Sequence, residues 1–145
     1  MMRRLARPLR RLGAQEDGAA AVEFALLLPV LAALMVGVIQ YGGMVFAYQQ
    51  MHDGVDAGAV YVMRGGTDST AIHDVALGAW PNKPSDAAVT VTQACTCAGG
   101  TADCSSTCAD GSYPQTFTTI SATGTYAGPL GSAQSMSATQ IVRTQ

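Results

Sequence analysis

Four cysteines, Cys95, Cys97, Cys104 and Cys108, are the densest group of reactive side chains in the sequence. Three chemistries are open to them: zinc ligation, a redox centre and disulfide bonding. Paired zinc-binding cysteines have about two to four residues between them, and a redox centre would have to use Cys95-x-Cys97 where such dithiols are usually Cys-x-x-Cys. The pattern C-x-C-x₆-C-x₃-C fits neither. An even number of cysteines in a small exported domain reads instead as two disulfides. Joining Cys95 to Cys97 would strain a very short ring. The nested arrangement, Cys95 with Cys108 and Cys97 with Cys104, suits two antiparallel strands closed by residues 98–103 and is the expected pairing. Each bridge would constrain the unfolded chain, typically by about 2–4 kcal/mol, which matters in a domain with a small core.

His52, Asp53 and Asp56 form a second group and His73 with Asp74 a third. A triad needs a nucleophile and an oxyanion site placed by the fold. No Gly-x-Ser-x-Gly, phosphate loop or His-Glu-x-x-His run accompanies these residues, so they read as solvated helix faces. No enzyme, metal site, cofactor or small-molecule substrate is expected.

The fourth chemically informative feature is Glu23, at the edge of a continuous apolar stretch over residues 24–46. A bilayer-spanning helix needs about 20 apolar residues at about 1.5 Å rise each, which this stretch supplies with no internal charge. A carboxylate at the mouth of the hydrocarbon layer is costly, by roughly 2.5 kcal/mol or more towards the centre. Glu23 therefore calls for a partner or a task.

The surrounding elements follow from pattern and punctuation. Arg3, Arg4, Arg7, Arg10 and Arg11 are five of the eight basic residues and precede the apolar stretch. Beyond it, Asp53, Asp56, Asp68, Asp74, Asp86, Asp103 and Asp110 face only Arg64, Lys83 and Arg143. Basic flanks stay in the cytoplasm, so the N-terminus is expected inside and the C-terminal part exported. The arginines can meet anionic membrane lipid, and no basic cluster beyond the membrane is left to hold nucleic acid. The pairs Arg3-Arg4 and Arg10-Arg11 lack the flanking pattern of a twin-arginine signal.

A helix is expected from Ala19, with Pro29 kinking it. Small residues four apart, Ala33 with Gly37, Gly43 with Ala47 and Gly54 with Gly58, would let another helix approach closely. Past Phe46 the helical period persists in Tyr48, Met51, Val55, Ala59 and Val62, so the helix continues into water until Arg64-Gly65-Gly66. Tyr41 and Tyr48 bracket the outer interface. Asp68-Ser69-Thr70 caps a short second helix whose apolar face is Ile72, Val75, Ala76 and Ala79, ended by Trp80-Pro81-Asn82-Lys83-Pro84. Trp80 reads as a core anchor. Residues 87–92 alternate with period two, and 116–126 and 137–143 also fit strands. With 145 residues, 48% apolar and 12% charged, there is room for one membrane segment and one small domain. The expected class is α+β: a long N-terminal transmembrane helix continuing into a small exported domain with a short helix and an antiparallel sheet, pilin-like in outline. Its divisions are residues 1–18, a basic leader; 19–47, the membrane helix; and 48–145, the exported domain.

The run Gly18-Ala19-Ala20-Ala21-Val22-Glu23-Phe24-Ala25-Leu26-Leu27-Leu28-Pro29 resembles the processing site of the TadE-like pseudopilins of the tight-adherence (Tad, or Flp-type) pilus machinery. Gly37-Val38-Ile39-Gln40-Tyr41-Gly42 and Ala57-Gly58-Ala59-Val60-Tyr61-Val62-Met63-Arg64 extend the likeness through the first half of the chain. The resemblance implies an inner-membrane substrate of an aspartyl prepilin peptidase cut between Gly18 and Ala19, with Glu23 guiding assembly among other pseudopilins and pilus assembly proteins. Phe24 stands where major Flp-type pilins usually have tyrosine, and a full exported domain follows. Both departures favour a minor, initiating or tip-like role. Three other readings stay open: an uncleaved membrane-anchored binding or adhesin domain, a secreted protein cut after Val45-Phe46-Ala47 and before Tyr48, and a redox enzyme using the cysteines.

Overall fold

The computed structural model describes residues 16–98 and 100–144. Most of the expected basic leader lies outside them. In chain order the elements are α1 (Glu16–Met63), α2 (Ser69–Gly78), β1 (Ala88–Cys97), β2 (Gly100–Ala102), β3 (Gln115–Ala127) and β4 (Ala133–Arg143). The class is α+β. The chain divides into a unit that ends at Ile39 and a unit that begins at Gln40.

The first unit is helical over its described residues and carries no core of its own. Alanine and leucine, both strong helix formers, dominate it. Pro29 lies inside α1 without ending it. Its missing N–H releases the Ala25 carbonyl, a loss that a membrane helix can absorb locally. The apolar side chains point outward on every side: Leu26, Leu31, Met35 and Val38 are all at least half exposed. An α-helix that is apolar all round is stable only where its surroundings are apolar too. This stretch is long and apolar enough to cross a membrane, and none of its most apolar window is buried. The described part of α1 takes in Glu16, Asp17 and Gly18 ahead of the expected Ala19.

In the second unit the same helix becomes one-sided. Met51, Val55, Ala59 and Val62 are at most 2% exposed and pack with Ile72 and Ala76 of α2, Trp80, and Val89, Ile120, Ala122, Met136, Ala138 and Val142 of the sheet. Their three- and four-residue spacing is the expected stripe, except that Tyr48 stands outside it at 42% exposure, with its ring edge-on to His52 at 4.6 Å. Gly54 and Gly58 let α2 come close. A Cβ on Gly54 would sit 2.7 Å from the Ala76 carbonyl oxygen, and one on Gly58 would sit 3.1 Å from the Ala76 Cβ. The helix ends as Arg64-Gly65-Gly66 suggests. Gly66 N–H donates to the Tyr61 carbonyl at 3.1 Å and Gly65 N–H to that of Val62 at 2.9 Å, with Gly65 at φ +94°. That is the Schellman closure, which only a residue free to be left-handed completes without strain. Asp68 Oδ1 then accepts from Thr70 N–H at 2.8 Å and caps α2, and Trp80 is 2% exposed.

The sheet is antiparallel in the order β2-β1-β3-β4. Three of its strands answer the alternation in the sequence, each longer than the pattern suggested. β2 was not anticipated, because Gly100-Thr101-Ala102 is too short to show a period. In register, Thr123 of β3 opposes Ala88 and Ser137, while Gln115 opposes Thr96. The β3–β4 turn and the cysteine-rich segment therefore lie at opposite ends of the sheet.

Candidate processing and assembly segment

Gly18, Ala19 and Glu23 all lie on α1, near its start. Gly18 lies on α1, directly before Ala19. A Cβ there would meet nothing within 4 Å. Ala19 and Glu23 are both exposed, and four residues apart on a helix puts one above the other on the same face. Among the described residues no cation pairs with the Glu23 carboxylate. The arrangement offers a hydrogen-bond acceptor of full charge, one helical turn from Ala19, at the edge of an apolar surface.

The small-residue pairs divide between the two units. Gly54 and Gly58 receive α2, Gly43 lies against the Tyr126 hydroxyl, and Ala47 packs on the core, so these serve the chain's own fold. A side chain on Gly37 would meet nothing within 4 Å.

All four cysteines are paired, but not in the nested order. Cys95 bonds Cys104 and Cys97 bonds Cys108, with Cα separations of 5.2 and 5.6 Å. The register explains the correction. β1 runs through Cys95 and Cys97 instead of stopping before them, and its tight turn to β2 sets Cys95 opposite Ala102 and Cys97 opposite Gly100. Cys104 follows Ala102 by two residues and so comes beside Cys95, which leaves Cys97 to the later Cys108. Two aspartates shape the connecting loop. Asp103 Oδ1 accepts from Ser105 N–H at 2.9 Å and Ser105 Oγ at 2.8 Å. Asp110 Oδ1 accepts from Ser112 Oγ at 2.7 Å and Ser112 N–H at 3.0 Å. The backbone and then the hydroxyl bond hold the Asp103 carboxyl below its ordinary value, and for Asp110 the hydroxyl bond leads.

The histidines do not converge on a nucleophile. His52, Asp53 and Asp56 share α1, while His73 Nδ1 lies 3.0 Å from Oδ1 of its neighbour Asp74 on the exposed side of α2. Among the described residues no three His, Cys, Asp or Glu side chains gather as metal ligands. An open cleft of about 410 Å³ lies where the end of α1 meets the start of β3, and among the described residues Arg143 is the only charged side chain lining it. It offers hydroxyls and backbone but no acid–base pair.

Residues 18–60 match the family model described as TadE-like protein. The match begins at Gly18, takes in Glu23 and the whole apolar stretch, and reaches Gly54 and Gly58. α2 and the sheet lie beyond it. No curated protein and no solved structure matches the chain.

Proposed function

We propose that this protein, which carries a TadE-like segment and is on that ground related to the Tad pilus proteins, is a minor pseudopilin cut between Gly18 and Ala19 by a membrane prepilin peptidase. The observation that supports the reading is that Gly18, Ala19 and Glu23 lie on one helix, directly ahead of apolar residues exposed on all sides. The N-terminus lies in the cytoplasm, held there by the arginines, and the disulfide-bonded domain lies outside the inner membrane. Cleavage removes the leader and creates an α-amino group on Ala19, at the positive end of the mature helix. Glu23, close to that end, is favoured as an anion and meets the new ammonium of its own chain or of a neighbouring subunit. In low-dielectric surroundings such a pair is worth far more than in water, and an unpaired carboxylate costs correspondingly more. The attraction sets the vertical register of one helix against the next, while the open face at Ala33 and Gly37 permits close packing. The role is structural, within pilus assembly, and no catalytic step is assigned to the chain.

Glu23→Gln keeps the shape of the side chain and removes its charge. The expected result is a variant that is still processed but no longer supports piliation in its own cell, with Glu23→Ala behaving alike. Normal piliation by both variants would refute the register mechanism.

A further inference from the structure

The β3–β4 turn is tied to α1 at Gln40. Gln40 Nε2 donates to Ser132 Oγ at 2.9 Å, and Gln40 Oε1 accepts from Leu130 N–H at 3.4 Å. A Cβ on Gly128 would run into the same amide, so the turn approaches the helix closely. Gly131 N–H closes the turn on the Gly128 carbonyl at 2.9 Å, with Gly131 at φ +73°. Two of the turn's backbone N–H groups are thus bonded, Gly131's within the turn and Leu130's to Gln40, while the Leu130 side chain is left 64% exposed.

Gln40 is not at the polar end of α1 but inside the apolar stretch. Tyr41, Val45 and Phe46 follow it at 72%, 56% and 61% exposure. From Gln40 to Phe46 is about 9 Å along a helix. If residues 24–46 occupy the membrane, a turn bonded to Gln40 must enter it as well. A second, independent observation agrees. From Gly111 to Val142 the sequence has no Asp, Glu, Lys or Arg, so β3, the turn and all but the last residue of β4 are uncharged. That last residue, Arg143, opposes Phe117 at the other end of the sheet. On the water side of the turn, Asp86 Oδ1 accepts from Thr125 N–H at 3.2 Å. Thr125 precedes Gly128 by three strand residues, about 10 Å, which leaves Asp86 in water when only the tip is immersed.

We propose that the β3–β4 tip, Gly128-Pro129-Leu130-Gly131-Ser132, is a second membrane contact, seated at the headgroup and acyl-chain boundary of the phospholipid beside α1. It rests on the reading of α1 as membrane-spanning. Irregular backbone is tolerated at that depth only where its polar groups find partners, which the Gln40 amide provides. Leu130 supplies the apolar anchor, and together the tip and α1 fix both the height and the rotation of the exported domain on the bilayer.

The test is fluorescence quenching of the full chain reconstituted in phosphatidylcholine vesicles brominated high on the acyl chains. Leu130→Trp, Tyr41→Trp and Tyr113→Trp are compared with the parent, whose buried Trp80 supplies a constant background. The expected result is blue-shifted emission and loss of most of the added signal for Leu130→Trp and Tyr41→Trp, and little loss for Tyr113→Trp in the cysteine-rich loop at the far end. Quenching of Tyr41→Trp without Leu130→Trp overturns the hairpin contact and leaves the membrane helix standing. Blue-shifted but unquenched Leu130→Trp emission assigns the tip to a protein neighbour and also overturns it. No quenching at either site sinks the membrane placement itself.

Discussion

Two stretches of α1, before Gln40 and from Met51 on, are both rich in apolar residues, yet the first exposes its large side chains and the second buries a stripe of them. Before Gln40, Leu26 is 71% and Val38 72% exposed, while beyond it Met51 and Val55 are at most 1% exposed. What differs is distribution around the helix and the size of the residues between. The first stretch spreads its apolar groups over every face, so no single layer of protein could cover them. The second confines them to one stripe and sets Gly54 and Gly58 in it, which brings α2 and Trp80 into contact. Apolar content alone does not choose between lipid and core.

The contrast can be broken most severely at its largest anchors. Trp80→Ala should cost the domain beyond Gln40 about 3–5 kcal/mol, as truncation of a buried aromatic does. Leu31→Ala, at 50% exposure in the first stretch, should leave that domain unchanged. Chemical unfolding of the full chain in detergent, followed by near-ultraviolet circular dichroism, separates the two. Equal losses would mean that the first stretch contributes to the domain's core.

A smaller effect sharpens the same comparison at the glycines. In Gly54→Ala the new Cβ would lie 2.7 Å from the Ala76 carbonyl and 3.0 Å from the Trp80 Cβ. Overpacking of this kind typically costs about 1–3 kcal/mol. Gly37→Ala meets nothing within 4 Å and gains helix propensity, so the domain's unfolding midpoint should not fall. A Gly54→Ala protein as stable as the parent would remove the close approach of α2 from the account.

The smallest expected effect lies in the disulfide-bonded loop. Asp103 and Asp110 have folded values depressed by their serine partners. Groups of this sign add stability above the unfolded carboxylate value, about 3.9, and lose it as pH falls through the lower folded value. Both are fully exposed, so the loss is slight. The thermal midpoint of the oxidised protein should drop a little more steeply below about pH 4 than in a double Asp103→Asn, Asp110→Asn variant. Parallel pH profiles would show that the two turns do not contribute.

Much of the domain beyond Gln40 was legible because local chemistry and tertiary demand coincide there. The stripe Met51, Val55, Ala59 and Val62, the Gly65 cap, the Asp68 cap and the buried face of Ile72 and Ala76 each follow from spacing or from one residue's conformational preference. The disulfide order was not legible, since it depends on where β1 turns, and β2 is too short to announce itself. Nor does any pattern mark Gln40 as the tether of a turn some 90 residues away, a contact set by the length of β3 against α1. The assembly segment differs in kind. Gly18 and Glu23 stand out through their surroundings and a family likeness, and the match over residues 18–60 supports that likeness without showing the cut.

The central claim is that α1 is made to be freed at Gly18. The most direct test is the N-terminal residue and intact mass of the protein recovered from its own cell envelope. The account predicts Ala19 at the terminus, and retention of the leader when Gly18 is replaced by a bulky residue. Met1 or Tyr48 at the terminus of the wild-type protein would contradict it.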